Sequence, residues 1–574
     1  MQPKYPTTLF VKTLNKIWFF VFIALVIWIA RYWHIGSFGL YVDDLTIIPR
    51  AVEMNATELL KYIYGYIVHL YGHARPLSDS FIYIFSHLGW KLGGMQGAYW
   101  LGYLIFTLNG ILFYLLLKRI GNQTLAVTGT LAYCLFSADT TQVFLTHSLG
   151  LQPSLTLLLL ACHLYLSDKR WLSYLVALII LFSYETPFTV FIAFPLLIKP
   201  WQKRLVKEMV WHGLILGCML GGIFLLRSVV GEGRVAGLGF PQVLLTPVTH
   251  MIQGPVVSLG LYLYRPLQAL KALNGEILIT IIVGLPVLAW VISRLKVEAT
   301  TDLSTFIVLI KDRVFSSPHF NDLKALLRLA FVGLTMLALA YPFTFTIRAY
   351  AISGRDTRVH FAAVVGASIV CACGCSMILF MANLLRKKVI GTILLAGFFT
   401  LLMGYGFVIQ RDYQLAWKYQ QEFWSEVVQL VPDVEEGIVI LVEPSGFRDT
   451  RQIDANTWNL PRIFEQIYNF PAEWKNPPRV YRLVPGWQNH ITTSEGTFRL
   501  DVVTTTAPPS LYQTIETSRV ILLESGKGHL VRRSAPITLN GKEFALKAPS
   551  APVLNLFEKG FLFNFLIQIP QKGE

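Results

Sequence analysis

The chain has 574 residues, of which 54% are hydrophobic and only 14% charged, against roughly 25% charged residues in soluble proteins. With a mean hydropathy of +0.52, this composition excludes a soluble, disordered or fibrous protein and points to a membrane protein with many spans. The formal charge of +15 has two readings, nucleic-acid binding or the Lys and Arg that anchor membrane loops. The positions of those residues decide between them.

Residues 1–16 are short and basic and lead into an apolar run at 17–30. That run exits through Arg31-Tyr32-Trp33-His34, too bulky for a signal-peptide cleavage site, so it is expected to be a retained first span. A long loop at 34–97 follows, with Tyr41-Val42-Asp43-Asp44 near its start and His73-Ala74-Arg75-Pro76-Leu77-Ser78 later in it. Further apolar runs lie at 98–117, 124–137, 149–166, 172–184, 187–198, 210–230, 276–293, 327–346, 359–382 and 389–409. Most approach the ~20 residues that a helix needs to cross a bilayer. Glu185-Thr186-Pro187 breaks one stretch into the pair 172–184 and 187–198. Proline interrupts a helix ladder, so this stretch is either one bent crossing or two short helices that meet at the outer face.

Loop charge chooses two crossings. With the N-terminus inside, alternate loops carry Lys118-Arg119, Lys169-Arg170, the basic 199–207 segment, 294–328 and Arg386-Lys387-Lys388. About 20 of the Lys and Arg residues then lie inside, as the positive-inside bias requires. Nucleic acid is therefore not an expected partner. The expected fold is a polytopic α-helical membrane protein of about 11 spans, N-terminus in and C-terminus out, in a cell inner or plasma membrane. The 232–275 region is expected to be re-entrant or interfacial. Residues 1–410 form the transmembrane domain, and 411–435 an amphipathic helix on the membrane surface. Residues 436–574 form an extracytoplasmic β-rich α+β domain, with strand-like runs at 438–442, 479–483, 498–504 and 520–523. All six cysteines fall in apolar runs, so no disulfide framework is expected.

Under this topology the unusual polar residues gather on the outer side. Two adjacent carboxylates just past a span are costly unless solvated or used. Arg75, Arg348, Arg355 and Arg358 run against the positive-inside bias. A carboxylate can take a proton from an attacking hydroxyl, and arginine forks can hold a phosphate leaving group. Together they suggest group transfer from a lipid-linked phosphate at the outer membrane surface. The blander readings are a helix cap for the acidic pair, headgroup anchors for the arginines and a turn for Glu185. His69, His73 and His360 could join Asp43 and Asp44 around a metal, but no ligand spacing supports it.

The acidic pair after an N-inside first span resembles the GT-C superfamily of membrane glycosyltransferases. The His73–Ser78 hexapeptide, followed by Gly93-Gly94-Met95-Gln96-Gly97-Ala98-Tyr99-Trp100 and the apolar run to Leu117, is similar to a stretch of two groups. These are the bacterial dolichyl-phosphate-mannose-protein mannosyltransferase-like proteins and the mannosyltransferases with tetratricopeptide repeats. Ser183-Tyr184-Glu185 looks like their S-x-E motif. The resemblance covers roughly 17–200 and continues to 410 only by topology.

The resemblance implies an inverting glycosyltransferase. Its donor would be a polyprenyl-phosphate-linked sugar and its acceptor an extracytoplasmic glycan, lipid or protein. Asp43 would be the general base, with Asp44 second. Arg75, His73, Tyr184, Glu185, Arg355, Arg358 and His360 would line the substrate site. No cofactor is expected, and a divalent metal is left open but not favoured. Three departures are Leu45-Thr46 after the acidic pair, where the family often shows Asp-Glu or an Asp-Asp followed by an aromatic residue, the absence of a histidine common near Tyr99-Trp100, and a β-rich tail in place of helical repeats. The rival readings are a transporter or flippase for a lipid-linked saccharide, and a noncatalytic membrane assembly protein. A transporter would be expected to carry more mid-span charge and an internal repeat.

Overall fold

The computed structural model describes residues 7–69, 75–198, 201–230, 240–295, 318–345, 347–443, 450, 453, 460–483, 491–494, 497–500, 515–526, 528–539 and 541–568. His73, and the 501–504 part of an expected strand, lie outside the described residues. The chain divides into two compact units. One comprises Met1–Ser37 and Asn55–Arg411, the other Phe38–Met54 and Asp412–Glu574.

The first unit is helical. Counting the helix that leads out of it, eight helices among the described residues are long and apolar enough to cross a membrane: Ile17–Ser37, Pro76–Ile120, His147–Leu166, Lys203–Val230, Pro241–Lys271, Gly275–Ser293, Ala363–Leu384 and Lys388–Leu430. They mark a multi-pass membrane protein. Their outward faces agree, since Leu225, Leu245 and Ile282 are large, apolar and exposed.

Part of the difference from about 11 expected spans is the 327–346 run, which falls on the helix Pro318–Leu339 and is not among the eight, and the rest lies in short pieces. Gln123–Cys134 and Arg170–Ser183 are helices of only 12 and 14 residues. The 187–198 run divides into Glu185–Phe191, a helix of 7 residues, and a 3-10 turn at Phe194–Leu197. Conversely, the described part of the 232–275 region, expected to be re-entrant or interfacial, holds a 32-residue helix, Phe240–Lys271, that is long and apolar enough to cross a membrane. It runs through its three internal prolines, which apolar membrane-type helices tolerate when neighbouring groups satisfy the freed backbone.

Pro76–Ile120 is two helices joined at Gly93 and Gly94, and Gly94 has φ +60°. This left-handed conformation suits glycine. The chain folds back there so tightly that a Cβ on Gly97 would collide with the Gly89 carbonyl. The turn His147–Leu151 meets both arms, because Gly150 lies against Ile82 and Ser148 against Gly102. Helix starts are fixed by side chains. Asn122 and Asn274 accept from Leu125 N and Ile277 N, each at 2.9 Å. Asn55 and Glu58 form a reciprocal capping box.

The second unit is built on a four-stranded sheet in the order Arg479–Arg482, Val439–Glu443, Val520–Gly526, His529–Arg532. The first three strands are parallel, with Ile440 opposite Val480 on one side and Ile521 on the other. The fourth is antiparallel. Parallel neighbours need a crossover, and the helix Leu460–Ile467 supplies it between Val439–Glu443 and Arg479–Arg482. The centre of this domain is therefore a mixed α/β sheet, narrower than the expected β-rich description. The buried runs in Val439–Glu443 and Val520–Gly526 are the continuous apolar strands that a sheet covered on both faces requires.

Residues 412–430 continue the helix Lys388–Leu430 without a break. Their apolar stripe, Tyr413, Trp417, Trp424 and Val427, is buried. Trp424 stacks on Phe464 of the crossover helix, so this stripe belongs to a protein core and not, as expected, to a membrane surface. Phe38–Met54 threads into the same unit. Tyr41 Oη donates to the Tyr413 carbonyl at 2.8 Å, and the helix Asp44–Glu53 packs on Leu460–Ile467.

Candidate functional site

The acidic pair sits on a strained turn of the second unit. Val42 has φ +53°, unusual for a β-branched residue and a recurrent mark of functional turns. Asp44 is fully buried and closes the turn. Its backbone N–H donates to the Tyr41 carbonyl at 2.9 Å, and its Oδ2 accepts from Tyr41 N at 3.3 Å. The Asp43 carbonyl receives Ile47 N at 3.0 Å and Thr46 Oγ at 3.0 Å, while its side chain is half-buried. Asp44 thus serves the turn, and Asp43 presents the more accessible carboxyl.

Two polar groups lie in the helical unit. The first centres on Glu185, at the start of Glu185–Phe191 and 4% exposed. Arg75, just before Pro76, donates from Nε to Oε1 at 3.0 Å and places Nη2 2.6 Å from Oε2. Arg227, near the end of Lys203–Val230, contacts Oε1 from the other side. Burial pushes the Glu185 carboxyl up, but the two guanidiniums outweigh it and hold it at about 2. The Arg75 guanidinium also lies 4.3 Å over the Tyr184 ring, and Tyr184 meets Phe361 edge-on at 6.0 Å.

Phe361 leads to the second group, where two polar loops lock together. The 137–147 segment is buried throughout, including Ser137, Asp139, Thr140, Thr141, Gln142 and His147. Thr140 N and Oγ lie 3.1 and 3.0 Å from Thr357 Oγ in the 3-10 turn Arg355–His360. Asp139 Oδ1 accepts from Thr141 N at 2.9 Å and Thr141 Oγ at 2.8 Å. The same hydroxyl lies 3.0 Å from His147 Nδ1. No guanidinium pairs with Asp139 among the described residues. Burial raises its carboxyl from 3.8 to about 6, against the Thr141 hydrogen bonds and the charges of Arg31 and Arg358. The charges of Arg358 and Arg355 also act on His147.

Helix geometry contributes to this group. Arg31 and His147 both lie on π-helical turns, Trp28–Tyr32 and His147–Leu151, a backbone form frequent at functional sites. Arg31 donates to the carbonyls of Cys134 and Phe136 at 3.1 and 2.7 Å. Arg265, inside a candidate span, is buried and donates to Ile352 O at 2.5 Å and Ser137 O at 3.4 Å. It thus ties the two loops from behind. Ser137 Oγ, Gln142 Oε1 and Arg358 Nε in these loops are buried with no hydrogen-bond partner among the described residues.

Of the expected site residues, Arg75, Tyr184 and Glu185 come together, and Arg355 and Arg358 sit on the turn that is locked to the Asp139–His147 loop, where the charge of Arg358 reaches both Asp139 and His147 and that of Arg355 reaches His147. His360 has a bracing job. It is fully buried, and its Nε2 faces the Ala351 carbonyl at 2.7 Å, so that nitrogen carries the proton. Nδ1 meets Tyr341 Oη at 2.8 Å and Ser258 Oγ at 3.1 Å, and burial lowers the imidazole to about 4. Both nitrogens are engaged and the ring stays neutral. Asp139, Thr141, His147 and Arg227 were not singled out as site residues from the sequence. The signal for Asp139 was there, a carboxylate in a short loop between two apolar runs.

Among the described residues no three of His, Cys, Asp and Glu gather as a metal-ligand set. No protein-family model matches the chain, and no curated protein matches it with significant similarity. The likeness to GT-C enzymes therefore rests on the motifs alone.

Proposed function

We propose that the chain is a membrane glycosyltransferase that moves a sugar from a polyprenyl-phosphate-linked donor to an extracytoplasmic acceptor. The observation that carries this reading is the pair of interlocked polar loops in a mostly apolar helical unit. They bring the turn that carries Arg355 and Arg358 against the loop of Asp139, a carboxyl at about 6, and three of their buried polar atoms have no hydrogen-bond partner among the described residues. Native interiors rarely leave such groups unsatisfied, so these atoms are places for water or a polar ligand to bind. Guanidinium forks match a phosphate, and the sided pattern of basic loops supports an outer location.

In the reaction, an acceptor hydroxyl oxygen attacks the anomeric carbon of the donor. The bond from that carbon to the phosphate oxygen breaks, and the lipid phosphate leaves with the electron pair, its charge met by Arg355 and Arg358. The hydroxyl proton passes to a carboxylate. A single displacement inverts the anomeric centre. Asp43 is the base that the motif suggests. Asp139 is a second candidate, because a carboxyl near 6 is a stronger base than an ordinary one and is still largely ionised at neutral pH.

The test is turnover by the purified protein in vesicles that contain a polyprenyl-phosphate sugar. Asp43→Asn and Asp139→Asn are compared with the unchanged chain. Loss of transfer in one variant, with donor binding retained, assigns the base. Unchanged product from both overturns the transferase chemistry argued here, and saccharide transport indifferent to either change would favour a transporter.

A further inference from the structure

A cavity lies away from the groups described above, where several apolar helices of the first unit end. It has a volume of about 320 Å³, and Arg119, Arg170, Asp168, Tyr165, Leu197 and Ile198 are among its lining residues. We infer that it binds the phosphate headgroup of an anionic membrane lipid. This inference shares the membrane spans with the proposed function but not the transfer chemistry.

Position is the first argument. Ile120 and Leu166, which also line the cavity, are the last residues of Pro76–Ile120 and Gln152–Leu166, and Arg170 is the first of Arg170–Ser183. The ends of apolar helices lie at headgroup depth when those helices cross a bilayer. The sequence places Lys118 and Lys169 next to the two lining arginines, and such clusters favour the anionic leaflet surface.

The second argument is chemistry. Arg119 is fixed in place, with Nη1 2.8 Å from Ser167 Oγ and 3.3 Å from the His163 carbonyl, and Nη2 on the Leu166 carbonyl. These acceptors are neutral, and no described carboxylate pairs with Arg119, while the one described carboxylate that lines the cavity, Asp168, acts on Arg170. Arg170 lies 5.4 Å over the Tyr165 ring and shares its charge with Glu208 at 3.3 Å. Two held guanidiniums above a wall of Ile120, Leu166, Leu197 and Ile198 suit a phosphate that is joined to an acyl chain. A free phosphate would use the arginines but not the apolar wall.

The experiment measures retention of phosphatidylglycerol, with phosphatidylcholine of the same chains as reference, by native mass spectrometry of the full chain released from mixed-lipid nanodiscs. Inorganic phosphate and glycerol 3-phosphate are the soluble probes. The expected result is selective retention of phosphatidylglycerol, weakened at least tenfold in Arg119→Gln and largely restored in Arg119→Lys. Because Arg119 also caps a helix end, Ile198→Trp, which fills the apolar side and leaves the charges, provides a second reading and should weaken retention as well. Equal retention of both lipids, no change in Ile198→Trp, or equally tight binding of glycerol 3-phosphate would overturn the lipid assignment. Loss of sugar transfer with lipid retention intact would count against the proposed function and leave this site standing.

Discussion

Glu185 and Asp139 are both buried carboxyls between apolar helices of the same unit, yet one is held at about 2 and the other rises to about 6. Burial pushes both upward. The difference is the partners: two arginines close on Glu185, whereas Asp139 takes its hydrogen bonds from Thr141 and feels guanidinium charge only at a distance. Opposed environments of this kind divide structural carboxylates from proton-transfer carboxylates. Glu185 has the features of a cross-brace between Arg75 and Arg227. Asp139 has those of a group that exchanges a proton near neutrality.

The largest expected effect follows from breaking the brace. Glu185→Ala leaves Arg75 and Arg227 without their shared carboxylate in an apolar setting, which costs about 3–5 kcal/mol. A lowered melting temperature of the purified protein in detergent would read it, and an unchanged one would refute the brace. The pH dependence follows from the shift. The stability that Glu185 supplies is complete above 4.5 and is lost as pH falls toward about 2.

Asp139 should behave with the opposite sign. Its folded carboxyl holds the proton more tightly than the unfolded chain, so ionising it is a cost that grows as pH rises from 3.8 through about 6. Asp139→Asn should therefore leave stability unchanged below that window and raise it above, by roughly 2–3 kcal/mol. Melting temperatures at pH 4 and pH 7.5 measure this. A stabilised variant that has lost function would be the usual trade at a working site, while a variant equally destabilised at both pH values would show that Asp139 is structural.

The sequence made some of this legible. Apolar runs with basic alternate loops indicated a membrane protein, because bilayer thickness imposes long uninterrupted stretches. Arg75 and Glu185 could be picked out singly, since each is out of place by charge rules. Their pairing was hidden, because it joins residues 110 apart and no local pattern encodes it. Gly93 and Gly94 were visible as a motif, but the fold-back also needs Gly89 and Gly97 on the facing arms. In the second unit the apolar strands were evident, but parallel pairing comes from a crossover that strand propensity does not report. Asp139 carried a weak signal, a carboxylate in a short loop between apolar runs, but among Ser and Thr it looks like an ordinary polar turn, and burial is what distinguishes it.

A smaller effect isolates the hydrogen bonds on Asp139. Thr141→Val removes the hydroxyl that donates to Oδ1 and faces His147 Nδ1, at a cost of about 1–2 kcal/mol. It should also move the Asp139 titration upward, because a hydrogen bond to the charged form is lost. The carboxyl stretch in infrared difference spectra against Asp139→Asn follows that titration, and an unmoved midpoint would rule out the hydroxyl as its tuner.

The smallest shift separates electrostatics from substrate binding at Arg358. Its charge lowers the Asp139 carboxyl, ranking after the Thr141 hydrogen bonds and Arg31. Arg358→Gln should therefore raise the titration midpoint less than Thr141→Val does, and Arg358→Lys should largely restore it. If Arg358 also holds the donor phosphate, the glutamine variant raises KM for the lipid-linked sugar. The lysine variant recovers KM only in part, because an ammonium cannot offer the planar two-pronged contact. The two readouts then part company in the lysine variant: the midpoint returns while KM stays raised. If both return together, Arg358 acts through charge alone; if neither changes in the glutamine variant, the resemblance between these two polar loops and a phosphate site is broken at its most exposed point.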